Sequence, residues 1–261
     1  MNHRRHATIT TPTRIARVVL GTACELDDLD ATRWATAYAK RRGNGTAVVR
    51  RRPAVDSTAA GPLAPLRTGS PQVDALDSAT AHALVVESLT ADLIITSSRT
   101  EADRALSLTV AASARCPVVA VPPGATWRDD LPTLIGAGDE APLLSGFALA
   151  SVLGTGVRAI CCTREPSTGG TTARAAATSV AACAQRYPDV PVDLRVARSH
   201  PVTGLTRHAR LAALLVIGCT PTTDEATSRR LLDRCPSPIA LVGPRVVHAA
   251  PIVTARRSAE R

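Results

Sequence analysis

Short apolar runs alternate with longer stretches of helical periodicity along most of the chain. Val18-Val19-Leu20-Gly21 opens the first cycle as a strand. A helical pattern follows from Asp28 to Arg42, carried by Leu29, Trp34, Ala35, Ala37 and Tyr38 and stopped by Gly43. Thr46 to Val49 reads as a strand, and Pro53 to Pro71, rich in Pro, Gly and Ala, as a loop with a short strand near Leu63–Leu66. Val73 to Leu89 is helical, Leu93-Ile94-Ile95 a strand, Ala102 to Ala114 helical, and Val118 to Val121 a strand stopped by Pro122-Pro123-Gly124.

The cycle then restarts. Leu134-Ile135-Gly136 predicts a strand, Ala141 to Leu153 a helix ended by Gly154, and Val157 to Cys162 a strand. An Ala-rich helix spans Thr171 to Gln185. Val190 to Ala197 alternates as a half-exposed strand would. Val202 to Arg210 and Asp224 to Asp233 are helical, and Leu214 to Ile217 and Ile239 to Val242 are strands. Strands alternating with helices predict a doubly wound parallel sheet.

The order of motifs also repeats. Val19-Leu20-Gly21 recurs 115 residues on as Leu134-Ile135-Gly136, and Arg115-Cys116-Pro117 recurs 119 residues on as Arg234-Cys235-Pro236. Asp92-Leu93-Ile94-Ile95 matches Ala213-Leu214-Leu215-Val216 at an offset of 121. Three matches in order at a nearly constant offset predict a duplication, with one domain over 14–124 and a second over 131–244. Residues 1–13 and 245–261 are expected to be basic tails, the first of them disordered.

Composition narrows the function. Of 261 residues, 45% are hydrophobic but only 2% aromatic, so the core must be built from Ala, Val, Leu and Ile. That suits a buried parallel sheet and argues against base stacking on single-stranded nucleic acid. The net charge is +9, yet the basic residues are dispersed apart from His3-Arg4-Arg5-His6, Arg50-Arg51-Arg52 and Arg256-Arg257. Solvated faces are therefore expected in place of a nucleic-acid patch. The seven cysteines form no C-x-x-C pair and no His stands at zinc-finger spacing, so no metal site is expected. Several lie in apolar runs, as free thiols do in a reducing cytosol. The first residues are polar and basic without the apolar stretch of a signal peptide. No apolar run reaches the roughly 18 residues of a membrane span.

The ordered matches resemble the universal stress protein family, over nearly the whole chain. Gly21 and Gly136 match the family's opening glycines. Ala91-Asp92-Leu93-Ile94-Ile95-Thr96 and Ala212-Ala213-Leu214-Leu215-Val216-Ile217-Gly218 match its fourth strand. Ala114-Arg115-Cys116-Pro117-Val118-Val119-Ala120-Val121 matches its closing helix-to-strand element. The first copy lacks the second helix, with the Pro/Gly/Ala segment in its place. The resemblance implies an α/β fold of two tandem doubly wound parallel-sheet domains, flavodoxin-like or adenine nucleotide alpha hydrolase-like, packed about a pseudo-twofold axis. It further implies that the last strands of the two domains, Val118–Val121 and Ile239–Val242, pair within the chain.

The departures bear on function. In that family a glycine-rich loop lets backbone amides and a helix N-terminus approach a triphosphate. Here the stretch is Ser97-Ser98-Arg99-Thr100-Glu101-Ala102-Asp103-Arg104 in the first copy, and Cys219-Thr220-Pro221-Thr222-Thr223-Asp224-Glu225 in the second. Neither contains glycine, and each carries two acids that would repel phosphate. The family's purine-side aspartate is replaced by Ala23 and Gly138, with Asp139 one residue later. Gly136, Gly138, Asp139 and Gly218 are the candidate remnant of a ligand pocket, against the reading of Asp139 as an acid favoured by a helix N-terminus. Ser97, Ser98 and Arg99 lie at the matching mouth of the first copy, where a Ser N-cap competes with a small-anion role. His208 reads as a solvated helix residue, and Cys161-Cys162 as one thiol to each face of a buried strand.

No catalytic constellation can be assembled. The expectation is a cytoplasmic, non-enzymatic stress-response protein acting through an unknown protein partner or by ligand sensing, with no cofactor and ATP binding lost. The alternatives are an ATP- or AMP-binding sensor using a rearranged loop in the second domain, and a nucleotidyl hydrolase of related fold.

Overall fold

The computed structural model describes residues 17–21, 29–42, 47–51, 71–163, 166–219 and 225–247. Strands and helices alternate: β1 (Arg17–Gly21), α1 (Leu29–Arg42), β2 (Ala47–Arg51), α2 (Pro71–Glu87), β3 (Leu93–Ser97), α3 (Glu101–Ser113) and β4 (Val118–Val121) come first. After a linker come β5 (Thr133–Gly136), α4 (Glu140–Leu153), β6 (Val157–Cys162), α5 (Pro166–Arg186), β7 (Val192–Ala197), α6 (Pro201–Ala209), β8 (Leu214–Gly218), α7 (Glu225–Arg234) and β9 (Ile239–Val242). The elements fall where the hydrophobic pattern places them. The largest difference is α5, which begins at Pro166, five residues before the predicted start. Several expectations lie outside the described residues: the tail 1–13, Ala23, Cys24, the segment 52–70 with its short strand, the loop 220–224, and the chain from 248 onward.

The nine strands among the described residues share one sheet, in the order β2-β1-β3-β4-β9-β8-β5-β6-β7. The pairing is parallel except at a single seam, where β4 and β9 run antiparallel with Val119 opposite Ala240. Side chains alternate across the sheet with a period of two, and both faces are covered. Val18 and Leu20 join Trp34 of α1, Phe147 of α4 and Val180 of α5 in one core. Val19 joins Leu84 of α2, Leu106 of α3, Leu205 of α6 and Leu231 of α7 in the other. Each core runs across the seam, so neither belongs to one half alone. This is a doubly wound α/β sheet.

The expectation of two tandem parallel sheets is corrected here: one mixed sheet runs continuously through both halves. The cause is the character of the two final strands. Val118–Val121 and Ile239–Val242 are four residues each, uncharged and fully buried. Left as edges they would present unpaired backbone groups on an apolar surface, and pairing them removes both edges at once. On either side of the seam the strand order is the same, β4-β3-β1-β2 and β9-β8-β5-β6-β7, with one outer strand fewer in the first half among the described residues. A shared detail accompanies it. A Cβ at Gly21 would run into Leu84, and a Cβ at Gly136 would touch Leu205 at 3.4 Å. Leu84 and Leu205 are 121 residues apart, the offset seen between β3 and β8 in the sequence.

Candidate functional site

Open α/β sheets bind ligands outside the carboxyl ends of their strands, where the direction of winding switches. In the second half that point lies between β5 and β8, which are neighbours in the sheet. Gly136 ends β5, and Gly138 lies in the turn after it, its amide donating to the Gly136 carbonyl at 3.0 Å. Asp139 is the N-cap of α4, with extended backbone and no side-chain capping bond. Gly218 ends β8, and a Cβ there would lie 3.3 Å from Asp139 Oδ2 and 3.2 Å from Pro142 Cγ.

The structure therefore brings Asp139 and Gly218 together, as the sequence suggested, and places Gly136 toward Leu205 of α6. Among the described glycines only Gly124 and Gly154 have a left-handed backbone, so none of the three candidate glycines is required by its φ. Gly218 instead makes room for the Asp139 carboxylate, and Gly136 for Leu205. Gly138 is open, with no atom within 4 Å of a Cβ built there. The loop that would complete this crevice, 220–224, lies outside the described residues.

In the first half the loop 97–104 is described, and several of its polar groups bond within the protein. Thr100 caps α3: its Oγ1 accepts from the Asp103 amide at 3.1 Å, while the Thr100 amide donates to the Asp103 carboxylate at 3.0 Å. This reciprocal arrangement satisfies amide groups that a phosphate would otherwise take. Asp103 is 4% exposed, so its carboxylate lies buried against the Thr100 amide at the N-terminus of α3. The Ser98 amide donates to the Val121 carbonyl at 2.9 Å and the Arg99 amide to Ser97 Oγ at 3.1 Å. The Arg104 guanidinium donates to the Ser98 carbonyl at 3.0 Å. Arg99 is drawn toward Asp30 at the start of α1, 3.5 Å away, and Asp30 also accepts the Gly124 amide at 2.8 Å. The N-cap weighed from sequence for Ser97 or Ser98 is filled by Thr100 instead, because the helix starts at Glu101, beyond the reach of either serine as its cap.

The cysteines have the surroundings of packing residues. Cys161 joins one core and Cys162 packs against the other, one thiol to each face of β6. Burial pushes the Cys116 thiol up to about 12, with the Asp92 charge adding to it, and pushes Cys235 up to about 11. A nucleophilic or metal-binding cysteine needs its thiolate, and these environments oppose it. Among the described residues no group of three or more His, Cys, Asp or Glu side chains could hold a metal ion. No helix among them is long and apolar enough to cross a membrane. His208 is half-buried on α6.

Sequence reasoning missed two features. One is the contact between α3 and α7 across the seam, where Arg104 meets Asp233 at 2.7 Å and Arg229 meets Glu101 at 3.0 Å. The other is a basic groove of about 330 Å³ between α6 and α7, lined by Thr203, Thr206, Arg207, Arg210 and Arg234. These arginines stand at helix C-termini, where the macrodipole favours positive charge. A motif search keyed to strand ends has no way to find either.

No family model matches the chain, and no curated protein is similar to it in sequence. Likeness appears in solved structures. The cytoplasmic domain of a prokaryotic cation chloride cotransporter is 13% identical with a TM-score of 0.52, over 91% of this chain and 99% of that one. A functionally unknown protein from Pseudomonas aeruginosa PAO1 is 14% identical with a TM-score of 0.44, over 88% of this chain and 83% of that one. At such identity the first of these shows that the α/β fold is shared, and nothing of activity follows from it.

Proposed function

We propose that the chain is a tandem universal stress protein-like module that acts in a stress response through protein interaction or ligand sensing, without turnover and without ATP. The observation that carries this is the closed loop over 97–104. The amides of Ser98, Arg99, Thr100 and Asp103, the capping hydroxyl and the Arg104 guanidinium are already paired inside the protein, and the buried Asp103 carboxylate adds negative charge beside the helix N-terminus. Opening that loop for a triphosphate means breaking the Thr100–Asp103 pair and withdrawing Arg104 from the Ser98 carbonyl. Two final strands joined at the seam support the tandem reading, since a duplicated domain would meet its copy there. A cytoplasmic setting goes with this reading.

A second reading, an ATP or AMP sensor in the second half, has one observation in its favour. Asp139 carries an N-cap position without a capping bond and lies against Gly218 at the switch point. Calorimetric titration of the full chain with ATP, AMP and cyclic AMP separates the two. The expected result is no binding tighter than about 1 mM, roughly −4 kcal/mol. Micromolar binding abolished by Asp139→Ala would establish the sensor instead, and micromolar binding unaffected by that change would place a nucleotide in the first half.

A further inference from the structure

The outer edge of β7 has a sequence that is its own antiparallel complement. Among the described residues nothing pairs with that edge, which ends the sheet. Val192-Asp193-Leu194-Arg195-Val196 reads apolar, acidic, apolar, basic, apolar. Two copies aligned antiparallel about a twofold axis at Leu194 set Val192 opposite the partner's Val196 and Asp193 opposite the partner's Arg195. Opposed apolar pairs and opposed unlike charges are the favourable cross-strand combinations.

The exposure of these residues fits the same arrangement. Val192 is 39% exposed and Val196 52%, among the few large hydrophobic side chains left open on the described surface. Asp193 already holds Arg195 at 2.8 Å and Arg158 at 3.4 Å, but the Asp193 and Arg195 side chains stay 44% and 59% exposed. Both can turn toward a partner strand without leaving a buried charge behind. Beside the strand, Ala177, Ala181, Ala184, Pro188, Val192 and Leu194 line an apolar groove of about 660 Å³ between α5 and β7. Leu194 packs into the core under α5, so a twofold axis normal to the sheet would bring a second α5 to the same face and over that groove. Alanines there leave room for a close helix approach. Among the described residues the sheet's other end is β2, whose sequence carries Arg50 and Arg51 and no acid, so no register of it with itself matches unlike charges.

We propose that β7 is a homodimer interface, a second copy of this chain adding its β7 antiparallel across a twofold axis at Leu194. An edge strand with charges can also be an edge protected against pairing, and a charge-swap experiment distinguishes the two. Light scattering on the full chain at about 50 µM, where mass action favours association, should give twice the 27.1 kDa chain mass. Arg195→Asp sets acid against acid and Asp193→Arg sets base against base, so each variant alone should drop to the mass of one chain. Mixing the two variants restores both unlike pairs and should restore the dimer. The pair Val192→Lys and Val196→Glu repeats the test if Asp193→Arg, beside Arg158, fails to fold by circular dichroism. A wild-type chain of single mass, single variants that still dimerise, or mixtures that stay single would each overturn the proposal.

Discussion

Arg104 and Asp233 join the two halves of the sheet from opposite sides of the seam, the Arg104 Nε lying 2.7 Å from Asp233 Oδ1. The same guanidinium also donates to the Ser98 carbonyl in the loop after β3. One side chain thus holds the closed loop and ties α3 to α7.

The two partners are not equally valuable. The Arg104 side chain is 21% exposed and bonds a carbonyl besides the carboxylate, whereas Asp233 is 45% exposed. Arg104→Met is expected to cost about 1–3 kcal/mol, because it removes charge-assisted bonds to the Ser98 carbonyl and the Asp233 carboxylate together. Asp233→Asn is expected to cost less than about 1 kcal/mol, as exposed ion pairs do. Urea denaturation of both variants checks the order, and equal losses would show that the ion pair outweighs the carbonyl bond.

At the centre of the seam, Val119 has no exposed surface and lies opposite Ala240. Val119→Asp buries a charge in an apolar core, and a lone buried charge costs roughly 3–5 kcal/mol. Because both cores cross the seam, the two halves should lose structure together in a single transition. A variant that melts in two separated steps, or keeps its native near-ultraviolet dichroism at wild-type denaturant strength, would contradict the continuous core.

The buried thiols give the protein an alkaline weakness. Cys116 rises from 9.0 to about 12 and Cys235 from 9.0 to about 11, both mainly through burial. Below pH 9 the thiols are neutral whether folded or not, and they contribute no pH dependence. Above pH 9 the unfolded chain sheds protons that the folded chain keeps, so stability falls as pH rises from 9 toward 11–12. Tyr38, also raised by burial, acts in the same direction above its ordinary 10.0. Unfolding midpoints at pH 8 and pH 10.5 should differ, and by less in Cys116→Ala/Cys235→Ala. At pH 8 a thiol reagent should reach Cys116 about a thousandfold more slowly than a free cysteine, following its thiolate fraction.

Most of the fold was legible because the strands are apolar on both faces and sit between helices of clear periodicity. Leu93-Ile94-Ile95 needs no tertiary information to be read as a buried strand, and the pairing of the two uncharged final strands was implied by the family resemblance. That this pairing fuses the halves into one sheet, where two were expected, emerged only from the fold. The candidate site was legible only in part. Asp139 and Gly218 were named together through the family resemblance, and the fold sets them side by side. Arg104 could not be read as the residue that closes the loop, because its partners, Ser98 on one side and Asp233 on the other, are joined by folding and not by any local period. Thr100 was passed over for Ser97 and Ser98, since capping depends on where the first helical turn begins, the least certain boundary in a sequence.

Two glycines separate a structural seam from a candidate ligand mouth. Gly243 follows β9 and rests on α3 of the other half, so that a Cβ there would collide with the Ala111 carbonyl oxygen and lie 3.0 Å from the Ala111 carbonyl carbon. The obstacle is helix backbone, which cannot rotate aside as a side chain can, so Gly243→Ala must push α3 off the seam. Overpacking of this kind typically costs 1–3 kcal/mol, and a blocked backbone puts this site at about 3 kcal/mol or more. Gly138 has no atom within 4 Å of the same added carbon and no left-handed φ. Gly138→Ala should therefore stay within about 0.5 kcal/mol of wild type, as open surface positions do. Denaturant midpoints of the two variants make the comparison. A stable Gly243→Ala protein would mean that α3 and β9 are not held in contact, and a large loss at Gly138 would mean that the turn before Asp139 needs its glycine in the folded chain.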